Sequence, residues 1–97
     1  MRMPYIDKAH RSMIDAPLDA FVAELQGLIR SGSIKEDKLE GVLNYCMTKL
    51  LKRIYTPVSY FKINRVIGLL ECIKQEYYRT VAGPYEDQKR KEHGEVS

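Results

Sequence analysis

Residues 58–81 read VSYFKINRVIGLLECIKQEYYRTV. No proline interrupts the run, and Gly68 is the only weak helix former inside it. Projected at about 100° per residue, Ile63, Val66, Ile67, Leu70, Ile73, Tyr77 and Val81 fall on one broad apolar arc, with Leu69 at a margin. That period is helical, not the alternation by two that marks a half-buried strand. The stretch therefore predicts a long amphipathic helix. Lys74 points into the arc, close to Ile67, Leu70 and Tyr78, while Tyr60, Asn64, Glu71 and Tyr78 lie on the margin beside Ile67. The far face carries Arg65, Gly68, Cys72, Gln75, Glu76 and Arg79.

Working outward, the same period recurs on both sides. Before it, Leu43, Cys46, Met47, Leu50 and Ile54 share a face, which predicts a helix starting between Ile34 and Gly41 and running to about Tyr55. Thr56-Pro57 ends it, because the residue before a proline is pushed out of helical geometry. Earlier still, Leu18, Phe21, Val22, Leu25, Leu28 and Ile29 form a stripe. Asp15 suits its N-cap and Pro17 its first turn. Ser31-Gly32-Ser33 stops it. Residues 1–14 read as an N-terminal arm. After Val81, Ala82-Gly83-Pro84 is expected to end or kink the long helix, and PYEDQKRKEHGEVS reads as a short polar helix with Gly94 after its last turn. The expected fold is all-α: one domain over residues 1–97, a small oligomeric bundle of three amphipathic helices plus a short C-terminal helix over residues 84–97.

The bulk numbers agree with a folded chain. Of 97 residues, 44% are apolar and 30% charged, which excludes disorder of the whole chain. A chain of this size has a modest core, so association would help it. No apolar run approaches the roughly 18 residues of a membrane span, and MRMPYIDKAHR has no secretory signal pattern. A cytoplasmic location, without membrane partners, is the expectation. Cys46 and Cys72 show no metal or redox spacing and read as reduced thiols. His10 and His93 have no ligand-like neighbours in sequence. No metal, cofactor or catalytic residue is expected, and Ser59 has no histidine placed near it.

Charge is unevenly spread. Residues 1–40 hold six basic and seven acidic side chains, and residues 71–97 hold five and six. Residues 41–70 hold Lys49, Lys52, Arg53, Lys62 and Arg65 with no acid, so this stretch alone makes the net charge of +3. It also carries Tyr45, Tyr55, Tyr60 and Phe61. A concentrated positive field attracts phosphates, and aromatic rings can stack on bases or on a guanidinium. The plainer reading is a solvated basic face that keeps the chain soluble. Extended nucleic acid is not the expected partner, since a sequence pI near 8.9 is only mildly basic and no nucleic-acid-binding motif is present.

Along the long helix, Tyr60, Asn64, Glu71, Lys74 and Tyr78 form a polar track. A buried lysine is costly unless paired, and Glu71, three residues earlier, is within reach in the favourable order. Three readings stay open. Lys74 can run its stem past the core and meet Glu71 in water, it can sit at a subunit interface, or it can line a ligand pocket. In that pocket Lys74 meets an anion, with Arg65, Lys62 and Arg79 as further phosphate partners, and Tyr60, Asn64 and Tyr78 orient it.

The blocks G-V-L-N-Y-x-x-T-K-L from Gly41, S-Y-x-x-I-N-x-V-I-G-x-L-E-C-x-K-x-E-x-Y-R from Ser59 and P-Y-E-D-x-K from Pro84 resemble a family of short proteins of unknown function from bacteriophage and bacterial genomes. Upstream of Gly41 only an opening M-P-Y-I at Met3 is comparable. The resemblance implies small size and a phage or mobile-element setting, hence the host cytoplasm, and names no activity. Small phage accessory proteins commonly work by binding. The expected function is therefore a non-enzymatic homo-oligomer that holds or sequesters a small anionic ligand, a nucleotide signal first among them, in an anti-defence role. The alternative is an inhibitor or adaptor acting on a host protein, and weak nucleic-acid binding stands third.

Overall fold

The first helix starts earlier than Asp15 suggests. In the computed structural model, which describes residues 6–94, α1 spans Lys8–Arg30. Asp7 is its N-cap, in extended geometry and without a side-chain cap bond. Asp15 is therefore interior, Pro17 lies inside the helix, and residues 8–14 are helix and not arm. Pro17 has no N–H, so the Met13 carbonyl loses its usual donor, a local cost. The residues ahead of it include good helix formers such as Ala9, Arg11 and Met13, which carry the helix across the gap. The part of the expected arm at residues 1–5 lies outside the described residues.

The chain divides into two compact units, residues 1–52 and residues 53–97. In the first, α1 ends where expected. Gly32 adopts φ +82°, a conformation open to glycine. The Ser31 N–H bonds the Gly27 carbonyl at 3.0 Å, and the Gly32 N–H bonds that of Ile29 at 3.1 Å. A 3₁₀ turn at Glu36–Lys38 leads into α2, Leu39–Ile54, within the window the sequence sets. Along their lengths α1 and α2 are not packed together. Leu51, 8% exposed, is the only buried residue among those described.

In the second unit Ser59 supplies a cap that the stripe does not reveal. Its Oγ accepts the Lys62 backbone N–H at 3.2 Å and opens α3, Tyr60–Tyr77. The Thr56-Pro57 peptide ahead of it is cis. The helix does not end at Ala82-Gly83-Pro84. A π turn, Tyr78–Ala82, joins α3 directly to α4, Gly83–His93. Pro84 cannot donate to the Thr80 carbonyl and its ring crowds it. The wider turn just upstream relieves that clash, with the Gly83 N–H reaching back to the Tyr78 carbonyl. A Cβ at Gly83 would lie 3.3 Å from that carbonyl oxygen, tighter than ordinary contact. Gly94, φ +84°, ends α4 with its N–H on the Arg90 carbonyl, as the sequence predicts.

The described chain is thus all-helical, without a strand among the described residues, and no helix in it is long and apolar enough to cross a membrane. Its apolar stripes remain open. Phe21, Leu28, Leu43, Met47, Leu50, Ile63, Leu70 and Ile73 are all exposed.

Candidate functional site: cations and aromatic rings at the start of α3

Lys74 is not sunk in a core. Its Nζ lies 3.3 Å from a Glu71 carboxylate oxygen, and the two side chains are 73% and 51% exposed. Gln75 donates to the same carboxylate at 3.0 Å. The Gln75 hydrogen bond first, and Lys74 second, hold the Glu71 carboxyl below the usual carboxylate range. Farther on, the Tyr78 hydroxyl donates to Glu86 Oε1 at 2.9 Å across the π turn. That hydrogen bond to a carboxylate pushes the Tyr78 pKa up. Arg79 is held on both carboxylate oxygens of Glu76, at 2.6 and 2.7 Å.

The rest of the polar track is far from this cluster. With a rise of about 1.5 Å per residue, Tyr60 stands about 21 Å along the axis from Lys74 and about 27 Å from Tyr78. One mononucleotide cannot touch all five residues of a single chain. The track therefore divides: Glu71, Lys74 and Tyr78 form one group, and Tyr60 and Asn64, one turn apart, form the other. The helix rise was available in the sequence and is the signal that separates them.

Around Tyr60 and Asn64 the cations are arranged differently. The Arg65 guanidinium lies 5.4 Å from the centroid of the Tyr55 ring and 5.6 Å from that of Phe61, within cation–π range. Rings that engage the faces of a guanidinium leave its N–H edges for a bidentate anion. Lys62 is half-buried and its Nζ donates to the Thr56 carbonyl at 2.9 Å, which uses one of three ammonium donors. Tyr60, two residues before Lys62, is 85% exposed. On α2, Lys49 lies 5.5 Å from the Tyr45 ring centroid, and Lys52 and Arg53 follow at the end of the helix. Among the described residues none of Lys49, Lys52, Arg53, Lys62 and Arg65 has a carboxylate partner, in contrast to Lys74 and Arg79.

Two other features add little. Glu40, Gly41, Asn44, Tyr45 and Thr48 line a shallow, open depression of about 490 Å³ on α2, in which the Thr48 hydroxyl donates to Asn44 at 3.1 Å. Among the described residues, no three of His, Cys, Asp or Glu gather as a metal site. The Ser59 hydroxyl is committed to its cap.

Fold and site together define a class: a small all-helical protein that presents unneutralised cations beside aromatic rings. Residues 3–96 match the family described as a domain of unknown function, DUF6899, and the chain belongs to that family. The match takes in the residues before Gly41 as well, beyond the blocks that carry the resemblance. No curated protein and no solved structure matches the chain.

Proposed function

We propose that this protein is a non-enzymatic binder of a small phosphate-bearing ligand, first a nucleotide signal, and that it acts as a homo-oligomeric helical bundle. Arg65 carries the proposal. A guanidinium set against two rings, with Lys62 one turn earlier and no carboxylate on either, supplies bidentate and point-charge contacts to phosphate. In this reading the exposed Tyr60 would stack on a base or donate its hydroxyl, and Asn64 would orient the ligand. Lys74 is a secondary contact, since it must leave Glu71 to serve an anion. The open apolar stripes support the oligomer, because most helix stability in proteins comes from packing an apolar face. A phage or mobile-element setting, and sequestration of a host defence signal, complete this reading.

The test is a melting series against mononucleotides and cyclic oligonucleotides. A nucleotide that raises the melting temperature of the wild type, and leaves Lys62→Ala/Arg65→Ala unmoved, supports the site. An equal rise in both proteins contradicts it. The exposed stripes also favour a second reading, in which a host protein covers them and is inhibited. A host protein recovered at fixed stoichiometry, with no nucleotide effect on the melt, would put that reading first.

A further inference from the structure

The junction between α3 and α4 carries two opposed preferences. Ala82-Gly83-Pro84 is a local stop signal, because glycine readily ends a helix and proline cannot continue one. The residue before a proline also favours extended geometry. Gly83 is nevertheless helical, with φ −60° and ψ −53°, and the chain runs on through the π turn Tyr78–Ala82 into α4.

Three features mark this continuous form as a closed state of the junction. The first is the turn itself. Pro84 supplies no N–H to the ladder. The Thr80 hydroxyl donates to the Glu76 carbonyl at 2.8 Å, a back-bond of the kind that bends helices. The second is the tie across the turn. In an unbroken α-helix Glu86 would stand about 80° round the axis from Tyr78. The additional residue of the π turn brings it to within about 20° of the Tyr78 face, about 10 Å along the axis. That placement lets the Tyr78 hydroxyl donate to Glu86 Oε1 at 2.9 Å. The turn sets up the tie, and the tie resists loss of the turn. The third is composition. Tyr85 is the one large apolar side chain of α4, so α4 has no stripe to pack on any other element, wherever that element lies.

We infer that the α3–α4 junction is a two-state hinge, closed as one helical run by the Tyr78–Glu86 hydrogen bond and open when α3 ends at Gly83 and α4 swings away. Glycine serves both states. In the closed state a Cβ at Gly83 would lie 3.3 Å from the Tyr78 carbonyl oxygen, and in the open state glycine leaves helical geometry at little cost. Opening frees the Tyr78 hydroxyl and the Glu86 carboxylate together. Tyr78 lies one turn beyond Lys74 on the polar track, so the hinge sets whether that hydroxyl is committed or available there.

The hinge is independent of the proposed ligand, and failure to bind a nucleotide would leave it standing. Pulsed dipolar spectroscopy on the full chain tests it. One spin label is placed on Cys72 and one on Lys91→Cys, with Cys46→Ser, and the labelled chain is diluted into unlabelled chain so that only distances within one chain are read. The closed run sets the two backbone positions about 27 Å apart. One narrow distribution is expected for the otherwise wild-type chain. In Tyr78→Phe a shorter, broader population should grow about three- to tenfold, the scale of one lost hydrogen bond. Glu86→Ala, which removes the other partner, should have the same effect. Unchanged distributions in both variants, or a parent chain already as broad as they are, overturn the inference. Both side chains are exposed, and circular dichroism on the same samples checks that the helices persist. Should either variant lose its helices, amide exchange on the wild type decides. Amides of residues 83–93 opening together and apart from α3 support the hinge, and one common rate along residues 60–93 overturns it.

Discussion

Residues 41–70 and residues 71–97 carry nearly the same aromatic side chains but use charge in opposite ways. In the C-terminal stretch the ions are matched at three-residue spacing: Glu71 with Lys74, Glu76 with Arg79, Asp87 with Arg90, and Lys89 with Glu92. Such pairs on a solvated helix add little to stability and leave little field. In residues 41–70 five cations face no carboxylate among the described residues, and two of them lie against rings. The same side-chain types are spent on helix stability in one stretch and left available in the other. Net charge alone hides this difference.

The comparison breaks most visibly if ligand binding fails to follow the unmatched side. Lys62→Ala/Arg65→Ala should weaken any bound nucleotide about tenfold or more, the scale of one lost charge-assisted contact, measured by titration calorimetry. Lys74→Ala should change that affinity far less. A Lys74 effect as large as the double variant's would return the site to the matched side. Next in size, Ser59→Ala removes the cap that opens α3 and should lower stability by about 1 kcal/mol, read from denaturant melts followed by circular dichroism.

Smaller effects sharpen the matched side. The folded pKa of Glu71 lies below its ordinary value, so its pairing stabilises α3 above the ordinary carboxylate range. That contribution is lost as pH falls through the lowered value. Wild type should therefore lose more α3 helicity than Glu71→Gln in acid, a small difference because the group is exposed. Tyr78 has the opposite sign. Its raised pKa favours the protonated fold, so the Glu86 tie is present below the ordinary tyrosine range and lost as pH rises through the raised value. Amide exchange across the π turn should quicken in alkali for wild type and be pH-independent in this respect for Tyr78→Phe. Identical alkaline profiles would remove the tie from the account.

Much of the fold is legible because its signals are local. The stripes place α2 and α3, Gly94 marks the end of α4, and the Glu71–Lys74 spacing anticipates their pair. The misreadings are local signals with two outcomes. Asp15 and Pro17 resemble a helix start, yet good helix formers upstream carry α1 through the proline. Ala82-Gly83-Pro84 resembles a stop, yet one π turn absorbs the proline. The Arg65 setting was only half legible. Phe61 and Arg65, four apart on α3, are legible as neighbours, but the turn at Thr56-Pro57 is what brings Tyr55 to the same guanidinium. Which surface covers each stripe has no sequence signal of its own, since an apolar repeat records its period and not its partner.

Native mass spectrometry of the full chain purified from cells tests the central claim most directly, because it reports stoichiometry and retained ligand together. The expected result is a multiple of the 11.3 kDa chain carrying an added phosphate-containing mass that Lys62→Ala/Arg65→Ala loses. A bare single chain at micromolar concentration would contradict it.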